Sequence, residues 1–175
     1  STQSRSSAAS DVYKRQPVSA VGWTFRWSRR MASRWLRCSM ICARTASRMR
    51  RGYTDTSAIA CLLKAEPHTH AMRLWLEAGE CEVVSSDLLE IELRRLAVRL
   101  GRPQGEVTLI LRGISLAELN RATLRSASML PMPYLRTLDA IHLQAALDLE
   151  SDAVLTYDMR LADAGREVGL EVIAP

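Results

Sequence analysis

Hydrophobic and polar residues follow two different periods along the chain after residue 48. Short apolar runs, such as the one containing Val83 and Val84, predict strands. Longer segments with an apolar residue at every third or fourth position predict amphipathic helices. The predicted strands cover residues 51–55, 82–85, 114–116, 153–157 and 170–173, and the predicted helices cover residues 58–64, 68–78, 86–100, 104–112, 117–128, 136–149 and 159–168.

Strands and helices alternate throughout this part of the sequence. That order favours an α/β sandwich in which helices pack against a central, mostly parallel sheet. Residues 49–175 have an ordinary single-domain length and can bury a core of their own. No apolar run approaches the roughly 18 residues that a membrane-spanning helix needs, so no membrane association is expected.

The first 48 residues keep neither period, and charge separates them from the rest. Residues 1–51 hold 12 basic residues and one acid, Asp11, a net charge of +11, whereas residues 52–175 hold 12 basic and 18 acidic residues, a net charge of −6. The isoelectric point of about 9.4 therefore reflects the first segment. The remainder is a mildly acidic domain, and the overall charge is no sign of nucleic-acid binding.

We interpret residues 1–48 as a basic tail that is non-native or disordered. Residues 11–16 (DVYKRQ) resemble one translated frame of a transposase adapter, so residues 1–16 are expected to be technical sequence and residues 17–48 upstream DNA translated out of frame. Met49 would then be the natural start. A mitochondrial-type presequence and a basic nucleic-acid-binding arm are the other interpretations.

Acidic residues stand directly after two predicted strands. Asp55 follows the first strand and Asp158 follows the fourth. In open parallel sheets, ligands bind beyond the carboxyl ends of the strands, so both side chains are candidates for a functional site. Each could instead be an ordinary helix N-cap.

The helix predicted around residues 86–100 carries two glutamates with different expected surroundings. With Leu88 at zero on a helical wheel, Glu92 falls at about 40°, inside the apolar stripe, and Glu90 at about 200°, on the opposite side. Arg94 is a plausible surface partner for Glu90, four residues away. Glu92 points towards the interior, where a carboxylate needs a cation, a proton or a cleft.

Asp139 lies in the first turn of the predicted helix 136–149 and borders its apolar face. It is either a carboxylate that interacts favourably with the helix dipole or part of a site. If all four acids meet at one edge of the sheet, their mutual repulsion calls for a hard divalent cation such as Mg²⁺ or Mn²⁺. A carboxylate-held metal of this kind suits phosphodiester cleavage.

Four motifs resemble those of the PIN-domain family, specifically the VapC-type toxins of bacterial toxin–antitoxin pairs. They occur in the family's order at residues 53–58 (YTDTSA), 85–95 (SSDLLEIELRR), 135–143 (LRTLDAIHL) and 155–161 (LTYDMRL). The resemblance implies a three-layer α/β/α fold and a metal-dependent endoribonuclease. It also implies an attacking water activated by the metal, with products that carry 5′-phosphate and 3′-hydroxyl ends.

By this resemblance, Mg²⁺ or Mn²⁺ would be held by four catalytic carboxylates, Asp55, Glu92, Asp139 and Asp158. Thr56 or Ser57 would support the first of them through a hydroxyl hydrogen bond. Basic side chains near the acids could contact RNA phosphates or could be ordinary surface charges. These candidates are Arg94, Arg95, Arg136 and Arg160.

The resemblance further implies an RNA substrate (tRNA, rRNA or mRNA), a VapB-like antitoxin and a homodimer. The four cysteines form no disulfide framework, which is typical of reduced thiols in a cytoplasmic protein. Two other functions remain open at this stage. One is a PIN nuclease for RNA processing outside a toxin–antitoxin pair, and the other is a metal- and RNA-binding module without cleavage.

Overall fold

The computed structural model describes residues 49–64 and 66–175, so the interpretation of residues 1–48 lies outside the described residues. The described part contains five strands and seven helices. The strands are β1 (Arg51–Thr54), β2 (Glu82–Ser86), β3 (Ser115–Ala117), β4 (Ala153–Leu155) and β5 (Glu171–Ile173). The helices are α1 (Thr56–Ala60), α2 (Thr69–Ala78), α3 (Asp87–Arg99), α4 (Gln104–Leu111), α5 (Arg121–Ala127), α6 (Thr137–Asp148) and α7 (Met159–Glu167).

The five strands form one parallel sheet in the order β3-β2-β1-β4-β5. The predicted α/β fold with a central parallel sheet is confirmed. Because strand side chains alternate between faces, neighbouring residues of β4 enter different cores. Val154 packs with Leu143 of α6 and Leu161 of α7, whereas Leu155 packs with Met72 of α2.

Close packing at the centre of the sheet explains the glycine in β1. A Cβ atom added at Gly52 would lie 2.7 Å from Cδ1 of Leu155 on the neighbouring strand β4. That separation is too short for two carbon atoms. Gly52 therefore allows the side chain of Leu155 to cover the central strand.

Several predicted helix boundaries were wrong, including the end of the first helix, which was predicted at residue 64 but lies at Ala60. Polar caps explain the two wrong helix starts. The segment expected to be helical from residue 117 begins its helix only at Arg121, because Asn120 accepts the backbone N–H groups of Ala122 and Thr123. Similarly, α1 begins at Thr56 because Asp55 accepts the N–H of Ala58. Such side-chain acceptors satisfy the free donors of a first helical turn.

None of the helices found in residues 49–64 and 66–175 combines the length and the apolar character needed to cross a bilayer.

Candidate active site

Asp55 is held at the end of β1 by its backbone conformation and by three hydrogen bonds to its carboxylate. Its backbone stays extended (φ −93°, ψ 177°) while its side chain caps α1. Oδ1 accepts hydrogen bonds from the Ala58 N–H at 3.1 Å and the Ser57 hydroxyl at 2.8 Å, and Oδ2 accepts one from the Thr156 hydroxyl at 3.0 Å. Only 5% of the residue is exposed.

Burial raises the pKa of Asp55 above its ordinary value, although the nearby His142, the hydroxyls and the Ala58 N–H oppose that shift. A buried anion is unfavourable in a low-dielectric surrounding unless donors or a cation compensate it. Asp55 therefore has good hydrogen bonds but still lacks full compensation for its charge. A positive group would relieve this deficit.

Ser57 connects the turn after β1 to the turn after β4. Its hydroxyl oxygen accepts hydrogen bonds from the backbone N–H groups of Tyr157 at 2.8 Å and Asp158 at 3.1 Å, and its proton is donated to Asp55. The Thr156 hydroxyl also accepts from the Asp158 N–H, at 3.0 Å. The carboxylate of Asp55 and the backbone N–H of Asp158 thus share the same pair of hydroxyl groups.

Asp158 and Asp139 are joined by the side chain of Arg160. Asp158 caps α7, and its Oδ2 lies 3.2 Å from the guanidinium Nη2 of Arg160. Asp139 accepts the backbone N–H of Arg136 at 3.3 Å, and its Oδ2 lies 3.6 Å from Nε of Arg160. The second separation is an ion pair but too long for a hydrogen bond. The guanidinium therefore lies between the two carboxylates as a local positive charge.

Glu92 projects from α3, and 24% of its side chain is exposed. A different set of donors holds its carboxylate. The Thr56 hydroxyl and the Nε2–H of His142 both donate to Oε2, the latter at 2.8 Å. Burial pushes the pKa of Glu92 upwards, but the hydrogen bonds from His142 and Thr56 outweigh it, so the pKa is lowered overall. The anionic form is thus the favoured one.

Glu90 provides a contrast on the same helix. Its Oε1 accepts a hydrogen bond from Nε of Arg94 at 2.6 Å, and both side chains are 37% exposed. This is the surface pair that the helical wheel predicts. The two glutamates, two positions apart, therefore have the different surroundings that their angles on the helix indicate.

Sequence reasoning missed the polar groups behind Glu92. The Tyr53 hydroxyl lies 2.9 Å from Nδ1 of His142 and 3.0 Å from the hydroxyl oxygen of Ser86. All three residues are buried. Burial raises the pKa of Tyr53 to about 12, with Ser86 and Ser85 opposing the shift, so the phenol remains protonated near neutral pH. One available signal was that Tyr53 precedes Asp55 by two residues and so shares its face of the strand.

Asp55 and Asp158 cap helices directly after β1 and β4, Asp139 lies in the first turn of α6 and Glu92 lies inside α3, and the four acids are joined through intermediaries. Hydroxyls join Asp55 to Asp158, a guanidinium joins Asp158 to Asp139, and Thr56 next to Asp55 contacts Glu92. Within residues 49–64 and 66–175, no three His, Cys, Asp or Glu side chains already surround a position for a metal ion. Metal ligation by these residues stays a prediction.

The remaining predicted residues fall into three environments. Ser57 donates to Asp55, whereas the Thr56 hydroxyl donates to Glu92 instead. Arg94 pairs with Glu90, and Arg160 contacts two of the acids. Arg95 and Arg136 are exposed.

Comparison with known proteins identifies the family. The family model described as PIN domain matches residues 53–167. Ribonuclease VapC47 of Mycobacterium tuberculosis (strain CDC 1551 / Oshkosh) is 39% identical over 131 residues, which cover 70% of this chain and 96% of that protein.

Two solved structures share the fold. The crystal structure of Mycobacterium tuberculosis VapC20, a sarcin-ricin loop cleaving toxin, has a TM-score of 0.54 at 18% identity and covers 65% of this chain and 95% of its own. A toxin–antitoxin complex from Klebsiella pneumoniae has a TM-score of 0.55 at 20% identity, with 71% and 97% of the two chains covered.

Proposed function

The chain belongs to the PIN-domain family, and from that membership we propose that it is a VapC-like endoribonuclease toxin that hydrolyses RNA phosphodiester bonds. The observation that carries the proposal is the placement of Asp55, Glu92, Asp139 and Asp158 at one edge of the parallel sheet. The ribonuclease name of the relative that is 39% identical supports the reaction.

The donor chemistry at this edge fits a divalent cation. Its candidate ligands are carboxylate oxygens, and Mg²⁺ is commonly held by one or two carboxylates together with waters and substrate phosphates. A positive group, the guanidinium of Arg160, already lies between Asp139 and Asp158. Buried Asp55 lacks full charge compensation, as its raised pKa indicates. The proposal therefore assigns Mg²⁺ or Mn²⁺ to Asp55, Glu92, Asp139 and Asp158.

When bound, the metal would activate a water molecule and neutralise charge on the scissile phosphate. The chain's own residues fix the carboxylates that face the substrate. Ser57 and Thr156 hold Asp55, and Thr56 holds Glu92, through hydroxyl donors. Thr56 and Ser57 lie in the first turn of α1 and Thr156 directly follows β4, so the hydroxyls hold the acids from defined elements of the fold.

RNA contact is assigned to basic groups around the acids. Arg160 is the strongest candidate because it contacts two of them and is 37% exposed, so it can turn towards a phosphate. Arg95 and Arg136 are exposed, and either could contact a phosphate without breaking an ion pair to another residue that the structure describes. Arg94 would have to leave Glu90. The net charge of −6 in residues 52–175 favours recognition of a shaped RNA over general RNA affinity.

The proposal includes a VapB-like antitoxin as inhibitor and a homodimer as the working form. The fold neighbour from Klebsiella pneumoniae is a toxin–antitoxin complex, which supports the first part. Residues 49–175 are proposed as the PIN domain, supported by the family match over residues 53–167, and residues 1–48 as a non-native basic tail. Equal cleavage by the full chain and by residues 49–175 would support that division.

The test is cleavage of a mixed cellular RNA pool by the full chain, with Mg²⁺, with Mn²⁺ and with chelator. Asp139→Asn removes a proposed ligand, and Asp163→Asn makes the same change at an exposed ion pair on α7. We expect metal-dependent cuts that Asp139→Asn loses and Asp163→Asn keeps. Equal cutting by all three proteins would indicate a contaminating ribonuclease.

If none of the proteins cuts while Mn²⁺ still binds, individual tRNAs and rRNA fragments are tested next. Continued absence of cleavage would favour a metal- and RNA-binding module. Broad cleavage without a matching antitoxin gene nearby would favour an RNA-processing nuclease.

A further inference from the structure

A continuous series of buried polar groups lies behind Glu92, outside the set of carboxylates. It runs from the Ser86 hydroxyl to the Tyr53 hydroxyl at 3.0 Å, then to Nδ1 of His142 at 2.9 Å, and from Nε2 of His142 to Oε2 of Glu92 at 2.8 Å. The four residues come from β2, β1, α6 and α3. The series therefore connects the side chain of Glu92 on α3 to three other elements of the fold.

The direction of the hydrogen bonds follows from the last acceptor. An ionised carboxylate only accepts, so Nε2 of His142 must carry a proton. In the neutral imidazole, Nδ1 then accepts from the Tyr53 hydroxyl, whose oxygen accepts from Ser86. Every donor in the series points towards Glu92. The edge-to-face contact of the Tyr53 and His142 rings, with centroids 5.8 Å apart, fixes the imidazole plane as well.

Both donors to Glu92 reach the same carboxylate oxygen. The Thr56 hydroxyl and His142 converge on Oε2, and no side chain or backbone group in residues 49–64 and 66–175 donates to Oε1. A carboxylate fixed through one oxygen presents the other in a defined direction. Because 24% of the Glu92 side chain is exposed, the carboxylate is not fully enclosed by protein.

A purely structural role explains this arrangement less well. His142 is 3% exposed, and a buried imidazole and phenol are costly unless every polar atom is satisfied. Apolar residues of similar volume would pack such a core at lower cost. Instead, the donors converge on one oxygen of a partly exposed carboxylate at the edge where the other acids lie.

We propose that His142 is a positioning residue of the site, which holds Oε2 of Glu92 and so keeps the carboxylate in the orientation in which it would bind the metal. Tyr53 in turn orients His142. This inference rests on the proposed function, because it assigns Glu92 to the metal. Hydrogen-bond partners of metal ligands typically contribute 10–100-fold in metal affinity or activity.

The experiment measures Mn²⁺ affinity and single-turnover RNA cleavage with the full chain. His142→Leu removes the donor, His142→Gln keeps an N–H near the position of Nε2, and Tyr53→Phe removes only the phenol oxygen. His70→Gln is the matched control, since His70 is exposed on α2. We expect Mn²⁺ affinity to fall roughly 10–100-fold in His142→Leu, to recover in part in His142→Gln, and to stay unchanged in His70→Gln.

A Glu92→Gln background separates positioning from general packing. If His142 acts through Glu92, the additional loss from His142→Leu disappears in that background. An equal loss of Mn²⁺ affinity in both backgrounds, or a His142→Leu protein that is less stable but binds Mn²⁺ normally, would overturn the proposal. If His142→Leu does not fold, the same cycle with Tyr53→Phe decides: a loss of about 3–10-fold that vanishes with Glu92→Gln supports it, and no loss overturns it.

The outcomes also separate this inference from the proposed function. If the wild-type protein cuts RNA and the His142 and Tyr53 variants match it in Mn²⁺ affinity and cleavage rate, the proposed function stands and the positioning role of His142 is refuted. If the wild-type protein cuts no RNA but His142→Leu weakens Mn²⁺ binding, the positioning role of His142 stands and the nuclease function is refuted. Wild-type protein that does not bind Mn²⁺ overturns both.

Discussion

The acidic site consists of two pairs that are stabilised differently. The inner pair, Asp55 and Glu92, is held by hydroxyls, a backbone N–H and an imidazole from buried parts of the sheet and helices. The outer pair, Asp139 and Asp158, shares the guanidinium of Arg160, which is 37% exposed. The inner pair is thus held by short hydroxyl side chains, a backbone N–H and a buried imidazole. The outer pair is balanced by a charge on a long side chain that a cation or phosphate can displace.

The difference within the inner pair is equally instructive. Burial dominates at Asp55 and raises its pKa, whereas the donors dominate at Glu92 and lower its pKa. Folding therefore favours the neutral form of one acid and the ionised form of the other. One site can in this way hold two carboxylates with opposite responses to pH.

The largest expected effect comes from Asp55→Asn. If Asp55 is a metal ligand as proposed, its loss should remove about 4 kcal/mol of transition-state stabilisation, or roughly 1000-fold in cleavage rate. Stability at neutral pH should stay equal or rise, because the variant no longer buries an incompletely compensated charge. Urea unfolding and RNA cleavage measured on the same preparation test this combination.

The sign of the pH dependence sharpens the prediction for Asp55. The pKa of Asp55 is raised in the folded state. Its contribution to folding stability is therefore most favourable below the ordinary pKa of 3.8, where the carboxyl is neutral, and is lost as pH rises through the folded pKa. Any stability advantage of Asp55→Asn should therefore fade below about pH 3.8. An advantage that grows at low pH would contradict the assignment.

Glu92→Gln should reduce cleavage by roughly 100-fold and change the acid limb of the stability curve. The pKa of Glu92 lies below its ordinary value of 4.5 in the folded state, so its stabilisation is present above pH 4.5 and is lost as pH falls through the folded pKa. The contribution of its hydrogen bonds is about 1 kcal/mol. Urea unfolding from about pH 7 to about pH 3 should show a flatter acid limb for the variant.

Arg160→Gln tests whether the outer pair depends on a removable charge. Without the guanidinium, Mn²⁺ should bind about 5-fold more tightly, because about 1 kcal/mol of repulsion between like charges is gone. The KM for RNA should rise by a similar factor if Arg160 contacts phosphate. Arg166→Gln, on the same helix and paired with Asp163, serves as control. Weaker Mn²⁺ binding in Arg160→Gln would refute the displaceable-charge view.

The smallest effect is expected from Glu90→Gln, the matched control for Glu92→Gln on the same helix. Its exposed pair with Arg94 is worth at most about 0.5 kcal/mol, so stability should change by no more than that. Cleavage should equal that of the wild-type protein. A large loss of cleavage here would mean that the whole helix, and not Glu92 itself, is responsible for the effects at position 92.

Local patterns predicted the fold well, because strands and helices differ in period and several helices begin at a polar cap such as Asp55 or Asp158. The same patterns misplaced the start of α5, where Asn120 was available as a cap but the apolar period suggested an earlier helix. The two environments of Glu90 and Glu92 also followed from helix geometry alone. Position on one element is thus readable from sequence.

Contacts between elements were much less predictable. Tyr53 and His142 are 89 residues apart, and the hydrogen bond between them depends on how α6 packs on the sheet. Arg160 was expected to contact an RNA phosphate or to be a surface charge, and neither expectation predicted that its side chain bridges two acids. No period or spacing in a single sequence encodes the direction in which a long side chain turns.

The sheet order has a consequence for the timing of protein synthesis. Among the strands of residues 49–175, β1 is synthesised first but lies in the middle of the sheet, and the residue at its start bonds to Asp152, 101 residues later. Asp158 is made later still. Long-range pairing of this kind delays folding until the distant segment is present. A chain still being translated would therefore lack the complete set of four acids at the sheet edge until Asp158 and the strand before it had been made.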